Sequence, residues 1–150
     1  MNVHRSIAWL AAAVLLAGAA SCTRPDGDIG LPTGPSTLSL TLDVEAIPNI
    51  ILATGVRPTA IIRATVRKAG VPLADLPVYF TVLTGPGEFG DYSARTVALT
   101  DATGVAVVTY LGPTKDEINA DSAATILIQP QTSTPHFLSK TIDISILKGQ

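Results

Sequence analysis

Apolar residues alternate with other residues along several short stretches of this sequence, and that alternation restricts the fold more than any other feature. In Thr59–Arg67, Ala60, Ile62, Ala64 and Val66 fall on one side, and the intervening residues, which include two arginines, fall on the other. Successive side chains of a β-strand point to opposite faces of the sheet, so a period of two predicts a half-buried strand. The stretches show no helical period, which would place apolar residues three and four positions apart.

The same pattern recurs along the chain, and turn residues such as Gly, Pro and Asp separate the stretches. The predicted strands are Thr37–Val44, Ile50–Leu52, Thr59–Arg67, Pro77–Val82, Arg95–Thr100, Val105–Tyr110, Ala123–Gln129 and Thr141–Leu147. The first two are halves of one strand interrupted at Glu45–Pro48, which lets them pair with different sheets. Short strands with turn signals between them predict an all-β fold, an antiparallel β-sandwich of about seven strands.

The stretch from Val71 to Tyr110 is the centre of this pattern and predicts particular core residues. The side chains expected to face inward are Val78, Phe80, Val82, Val97, Leu99, Ala106, Val108 and Tyr110. Phe89, in the loop Gly85–Gly90, is expected to pack under the edge of the sandwich. Asp101–Gly104 has Asp first and Gly fourth, which favours a type I turn, and Gly104 is expected to adopt a positive φ on re-entering the strand.

The first 21 residues have the order of a secretory signal peptide. Met1–Ser6 is short and carries Arg5, Ile7–Ala20 is apolar, and small residues follow up to Ser21. The apolar run is shorter than the roughly 20 residues that span a bilayer. We therefore predict that residues 1–21 form a cleaved signal helix.

Cys22 follows the signal at once and is the only cysteine of the chain. The segment LLAGAASC resembles a bacterial lipobox, and the resemblance implies cleavage after Ser21 and lipidation of Cys22 with diacylglyceryl and an acyl group such as palmitate. The alternative is an ordinary signal peptide that leaves a stray thiol, a liability in an oxidising compartment. In the enteric type of lipoprotein, Asp after the cysteine retains the protein in the inner membrane, so Thr23 favours the outer membrane.

Residues 22–36 are predicted to be a flexible tether, and residues 37–148 the folded domain. Thr23–Ser36 contains three prolines and three glycines and has little to bury. Asp26 and Asp28 lack the ligand spacing of a calcium loop. The acidic stretch Thr114–Ser122 could hold a weak cation site, but a solvated loop is the simpler interpretation. We therefore predict no metal site.

A wider pattern of residues runs through the central stretch. Its members are Gly70, Pro72, Val78, Phe80, Thr100, Gly104, Ala106, Val108 and Tyr110. This pattern resembles that of a known family, the bacterial immunoglobulin-like group 1 domain of invasin- and intimin-type adhesins. The chain departs from the family pattern at Leu76-Pro77 and lacks the polar turn residue before Gly70. The resemblance covers residues 37–148 and implies an immunoglobulin-like sandwich that works in adhesion.

Charge and residue chemistry argue against several functional classes. The formal net charge is −2 and the ten basic residues are scattered, so no basic face for nucleic acid is expected. His136 has no carboxylate near it in sequence to form a triad, and the Gly85–Gly90 loop lacks the Lys-Ser/Thr of a phosphate-binding loop. We predict a non-enzymatic chain without a cofactor.

Three functions fit these observations. The first is a lipid-anchored immunoglobulin-like module of the bacterial envelope, acting in adhesion, spacing or protein assembly, with the membrane as partner through Cys22. The second is a carbohydrate- or peptide-binding module, for which Tyr79 and Tyr92 are the exposed rings expected. The third is a subunit of a larger envelope complex. The polar connection Gln131–Ser139, which carries Pro135, His136 and Phe137, is the loop least explained by folding alone.

Overall fold

The computed structural model describes residues 39–132 and 138–150. Within them every regular element is a β-strand, which confirms the all-β prediction. The strands are β1 (Leu40–Ile47), β2 (Ile50–Ala53), β3 (Thr59–Lys68), β4 (Val71–Pro72), β5 (Pro77–Thr84), β6 (Glu88–Phe89), β7 (Arg95–Leu99), β8 (Val105–Leu111), β9 (Ser122–Pro130) and β10 (Lys140–Lys148). No helix among these residues is long and apolar enough to cross a membrane.

The strands form two five-stranded sheets that pack face to face as a sandwich. Sheet A has the order β1-β3-β8-β6 with β4 beside β3, and sheet B has the order β2-β10-β9-β5-β7. β1 and β2 belong to different sheets, which the predicted split of the first strand allows. The interruption is shorter than the predicted Glu45–Pro48, because β1 continues to Ile47. The two-residue strands β4 and β6 lie within segments that the sequence pattern assigns to turns and loops.

One strand pair departs from the predicted antiparallel arrangement. β2 runs parallel to β10, with Ile50 beside Ser145 and Leu52 beside Leu147. Neighbouring strands joined by a tight hairpin must be antiparallel. β2 and β10 are neighbours in the sheet but lie near opposite ends of the domain's sequence, so no hairpin joins them. Their relative direction is therefore set by the packing of the whole sandwich and leaves no mark in the local pattern.

The core lies between the sheets and consists of the inward side chains of the long strands. Its buried apolar residues are Leu42, Ile51, Ala53, Ala60, Ile62, Ala64, Val66, Val78, Phe80, Phe89, Ala106, Val108, Tyr110, Ile118, Ala124, Ile126, Ile128, Ile144 and Ile146. Phe89 is buried as predicted, and it meets Phe80 and Tyr110 edge to face at centroid distances of 6.4 and 6.5 Å. Such aromatic contacts add to the free energy gained by burial.

The prediction that Val97 and Leu99 face inward is wrong. Their side chains are 52% and 60% exposed, and the alternate residues Thr96 and Ala98 face the core instead. The register of the β5–β7 pair explains the difference, because Val97 lies opposite Tyr79 and Leu99 opposite Pro77. Directly paired residues share a face, and Tyr79 alternates with the buried Val78 and Phe80, so Val97 must lie outside.

Candidate functional site

The predicted lipidation site lies outside the described residues, as do the signal peptide, the tether and the central part of the Gln131–Ser139 connection. Lipidation of Cys22 therefore stays a prediction, and so does any role for His136. The described residues offer three places at which chemistry or binding can be judged. They are the sandwich end around Arg57, the outer face of sheet B at its β7 edge, and the loop tip at Tyr92.

Arg57 joins three segments at one end of the sandwich. Its guanidinium lies 2.6 Å from Glu88 Oε1 and 2.7 Å from Glu117 Oε1, so one cation connects the β2–β3 loop, β6 and the β8–β9 loop. Glu117 Oε2 also accepts the Thr114 N–H at 2.8 Å. That backbone hydrogen bond is the main cause that lowers the pKa of Glu117 from its ordinary value. Burial opposes it, and the Arg57 charge adds a smaller lowering of the same pKa.

These groups border an open cleft of about 290 Å³. Its lining residues are Arg57, Pro86, Gly87, Glu88, Pro113 and Glu117. Both carboxylates are already paired with the guanidinium, so the cleft offers a ligand no unpaired carboxylate. The arrangement is that of a structural clamp. The sequence pattern did not single out Arg57, because its two partners lie 31 and 60 residues away in the chain.

The acidic stretch Thr114–Ser122 does not converge on a cation site in the part of the chain that the structure describes. Glu117 is turned to Arg57, Asp121 accepts the Lys148 N–H at 2.7 Å, and Ile118 is buried in the core. Among residues 39–132 and 138–150, no group of three His, Cys, Asp or Glu side chains is placed to hold a metal ion.

Tyr110 fixes the Gly85–Gly87 turn beside the same cleft. Its ring is fully buried and its hydroxyl donates a hydrogen bond to the Pro86 carbonyl. Burial raises the pKa of Tyr110 to about 12. Gly87 has a φ of +106°, and a Cβ there would overlap the Tyr110 hydroxyl, so only glycine fits between the turn and the ring. The hydroxyl therefore has a structural partner and is not poised for proton transfer.

The outer face of sheet B is apolar at its β7 edge. Val97 and Leu99 project from β7, and Tyr79 lies beside Val97 on β5. The Arg95 guanidinium stacks 4.7 Å from the centre of the Tyr79 ring, and the Tyr79 hydroxyl donates to Gln131 Oε1 at 3.2 Å. A cation over an aromatic face is a favourable contact, and here it leaves that face of the ring covered.

Tyr92 is the other ring that the sequence marks for ligand contact, and it stands apart at a loop tip. It is 76% exposed and has a φ of +59°, in the left-handed region that side chains rarely adopt. The loop is closed by hydrogen bonds from the Tyr92 N–H to the Phe89 carbonyl at 2.8 Å and from the Phe89 N–H to the Ser93 carbonyl at 2.9 Å. The two predicted rings therefore differ: Tyr92 is presented to solvent, whereas Tyr79 is held within the sheet surface.

With this geometry the chain can be compared with known proteins. No protein-family model matches it, and no curated protein matches it. Solved structures do match. The D00–D0 domains of intimin align with a TM-score of 0.53 at 18% identity, covering 75% of this chain and 50% of that one. The D0–D1 domains of intimin align with a TM-score of 0.52 at 19% identity, covering 71% and 49%.

The fold is an immunoglobulin-like β-sandwich. The ASH/PapD-like domain 7 of human CEP192 aligns as well, with a TM-score of 0.50 at 12% identity, covering 79% of this chain and 92% of that one. The immunoglobulin-like sandwich thus spans about half the length of the intimin structures that it matches. At these identities the likeness is one of architecture, and it confirms the fold predicted from the Val71–Tyr110 pattern.

Proposed function

We propose that this chain is a non-enzymatic, lipid-anchored immunoglobulin-like module of the bacterial envelope that works through protein contacts in adhesion, spacing or assembly. The observation that carries the proposal is the alignment of its sandwich with two overlapping domain pairs of intimin. The same family was indicated independently by the residues between Gly70 and Tyr110. A sandwich of this kind presents its faces and edges to partners without needing a reactive pocket.

The anchor in this proposal is Cys22. The apolar run Ile7–Ala20 ends in small residues directly before the lone cysteine, which is the order that lipoprotein processing requires. Several acyl chains on one residue hold a protein on a membrane far more firmly than one chain does. The tether Thr23–Ser36 would span about 45 Å when fully extended, at roughly 3.3 Å per residue, which carries the sandwich clear of the headgroups.

The side-chain chemistry of the described residues supports a binding role. Glu88 and Glu117 are paired with Arg57, and Asp101 caps its own turn by accepting from the Thr103 hydroxyl at 2.6 Å and the Thr103 N–H at 2.8 Å. These hydrogen bonds, the Thr103 hydroxyl first, lower the pKa of Asp101, so this group is an anion at neutral pH. A general acid or base needs a pKa near the working pH, whereas the pKa values of Glu117 and Asp101 are lowered from their ordinary values, further from neutrality.

Membrane fractionation tests the anchored location. The full chain should sediment with membranes, and Cys22→Ser should release it to the soluble fraction or leave an unprocessed precursor. Thr23→Asp serves as the matched variant: it keeps the cysteine and should move the protein from the outer to the inner membrane in a density gradient. A wild-type protein that is soluble after fractionation would overturn the anchor.

A carbohydrate- or peptide-binding role is the second candidate, and Tyr92 is the observation that favours it. An exposed aromatic residue held in a rare backbone conformation is typical of a contact site. Binding of the full chain to immobilised glycans should then fall at least tenfold in Tyr92→Ala and remain in Tyr79→Ala, whose ring is covered by Arg95. Glycan binding that is the same in wild type and Tyr92→Ala would remove this candidate.

A further inference from the structure

β7 is an edge strand whose outer backbone groups have no strand partner among the described residues. Its pairing with β5 shows which groups those are. The Ala94 carbonyl accepts from the Val82 N–H, and the Thr100 N–H donates to the Leu76 carbonyl. In an antiparallel pair such bonds recur at every second residue, so Thr96 and Ala98 also bond to β5. Arg95, Val97 and Leu99 therefore direct their N–H and C=O groups away from the sheet. The Ser93 hydroxyl already bonds both groups of Arg95, accepting from its N–H at 3.1 Å and donating to its carbonyl at 2.8 Å.

This edge lacks most of the features that usually protect an edge strand from pairing. Natural edges carry charged side chains, lysine above all, or proline, a bulge or very few residues. β7 has five residues and neither proline nor a bulge, and its one charged side chain, Arg95, is drawn over the Tyr79 ring. Val97 and Leu99 expose apolar side chains beside their outward backbone groups. In contrast, the edge strand β1 carries the exposed Asp43 and Glu45, and β6 has only two residues. β7 is thus built as a template for another strand.

We propose that the partner of this edge is β7 of a second copy of the chain, paired antiparallel about a two-fold axis at Val97. In this register Val97 lies opposite Val97 of the second copy, and Arg95 lies opposite its Leu99. Residues 95, 97 and 99 of the two copies map onto one another. Val97 bonds Val97 of the second copy across the axis, and the pairs of Arg95 with Leu99 form when the incoming strand displaces the Ser93 hydroxyl from Arg95. A surface that pairs with itself in this way meets the requirement of a two-fold interface.

Charge supports a second copy over an unrelated strand. Arg95 lies at the start of β7, and the ionised Asp101 lies two residues beyond its end. The two-fold axis brings Arg95 of each copy to the end that carries Asp101 of the other, and it keeps like charges at opposite ends. The Asp101 carboxylate already accepts three hydrogen bonds within its own turn, and the Arg95 guanidinium lies over Tyr79, so the attraction acts between the charged ends and not as a contact pair.

The outer faces of the two sheets would also join. Val97 lies beside Tyr79 within one chain, so pairing creates a continuous row of Tyr79, Val97, then Val97 and Tyr79 of the second copy. A contact of one short strand buries less than the roughly 1,200–2,000 Å² of a standard interface. We therefore expect a weak, reversible dimer, best detected by trapping it covalently.

Cysteine cross-linking of the full chain tests the register. Opposed residues in a hydrogen-bonded antiparallel pair have Cα atoms about 5.5 Å apart, within the range of a disulfide. Val97→Cys should therefore give a covalent dimer under mild oxidation. Leu99→Cys alone should not, because the two copies of residue 99 lie about 13 Å apart, four residues at roughly 3.3 Å each. Mixing Arg95→Cys with a tagged Leu99→Cys should restore a mixed dimer.

Two controls complete the experiment. The wild type reports any background from Cys22, and Val107→Cys places a thiol of matched exposure, 49% against 52%, on the outer face of sheet A. We expect at least ten times more dimer from Val97→Cys than from Val107→Cys. No dimer, equal yields at positions 97, 99 and 107, or cross-linking of Val97→Cys only to a different protein would each overturn the proposal.

A measurement without an added thiol gives a second test. Sedimentation of the full chain in detergent should show a concentration-dependent dimer, and Val97→Lys, which places a charge at the two-fold axis, should abolish it while leaving the circular dichroism spectrum unchanged. A dimer that persists in Val97→Lys would contradict the pairing. The inference rests on the proposed role in protein contacts, but fractionation of Cys22→Ser tests the anchor alone, so the two can fail separately.

Discussion

Gly104 lies directly against the backbone of Val66. The Val66 N–H donates to the Gly104 carbonyl at 2.8 Å, and a Cβ on Gly104 would lie 2.6 Å from the Val66 carbonyl oxygen. The φ of Gly104 is +78°, which confirms the positive φ predicted from the sequence, and its N–H donates to the Asp101 carbonyl at 2.9 Å to close the predicted turn. The positive φ and the lack of room for a Cβ therefore both require glycine at position 104.

We expect Gly104→Ala to destabilise the domain more than a positive φ alone would. Gly70 is a matched control, because its φ is +81° but nothing lies within 4 Å of its Cβ position. Gly70→Ala should cost about 1–2 kcal/mol for the left-handed conformation, and Gly104→Ala should cost more. Gly104→Asn should lower the unfolding free energy at least as much as Gly104→Ala does, although asparagine tolerates a positive φ. Equal unfolding free energies for Gly70→Ala and Gly104→Ala in urea would contradict the steric argument.

Thr100 joins β7 to the segment before β5, and its replacement by valine should be costly. Its buried hydroxyl donates to the Leu73 carbonyl at 2.6 Å and accepts the Leu76 N–H at 2.9 Å. Thr100→Val keeps the shape but leaves two backbone groups unsatisfied, so we expect a loss of about 2 kcal/mol or more. Thr109→Val, on the exposed face of β8, should change the unfolding free energy by less than about 0.5 kcal/mol. A similar effect of the two variants in urea titrations would show that the Thr100 hydrogen bonds do not matter.

The Arg57 clamp should contribute more than an isolated surface ion pair. Arg57→Met leaves Glu88 and Glu117 without their common partner, and we expect it to lower the unfolding free energy by about 1–2 kcal/mol, an effect weakened by salt. Arg63→Met is the control, because its ion pair with Glu45 is 3.8 Å long and half exposed on both sides. It should cost about 0–0.5 kcal/mol. Thermal unfolding at low and high salt separates the two cases, and an equal loss in both variants would refute the clamp.

Tyr110 should make the domain sensitive to alkaline pH. Burial raises its pKa to about 12 from an ordinary value near 10, so the folded state favours the neutral form. That contribution is complete below about pH 10 and is lost as the pH rises through about 12. Tyr110→Phe should be less stable than wild type by about 1–2 kcal/mol at pH 7, because it leaves the Pro86 carbonyl without its hydrogen bond.

The difference between Tyr110→Phe and wild type should then shrink as the pH rises above 10, which melting curves from pH 7 to 11.5 would show. Tyr92→Phe is the control for general alkaline effects. Its ring is exposed, so this variant should show the same change of melting temperature with pH as wild type. A constant difference in melting temperature between wild type and Tyr110→Phe across this range would mean that burial does not raise the pKa of Tyr110.

Local pattern was enough to predict the all-β class and the inward faces of the strands with a clear alternation. β3 buries the residues expected, because its other face carries Arg63, Thr65 and Arg67 and only one face is continuously apolar. The turn at Asp101–Gly104 was equally readable, since aspartate and glycine have definite backbone preferences at its ends. These features depend on residues only a few positions apart, and for that reason they can be inferred from sequence.

Only the tertiary structure decided the orientation of β7, the parallel pairing of β2 with β10 and the partners of Arg57. Arg95–Leu99 has apolar residues on both faces, so its pattern allows either orientation, and the pairing of Val97 with Tyr79 selects one. The Arg57 contacts and the β2–β10 pair join segments from 31 to about 95 residues apart. Local spacing and propensity do not encode contacts between such distant segments, because these contacts form only when the two sheets close around one core.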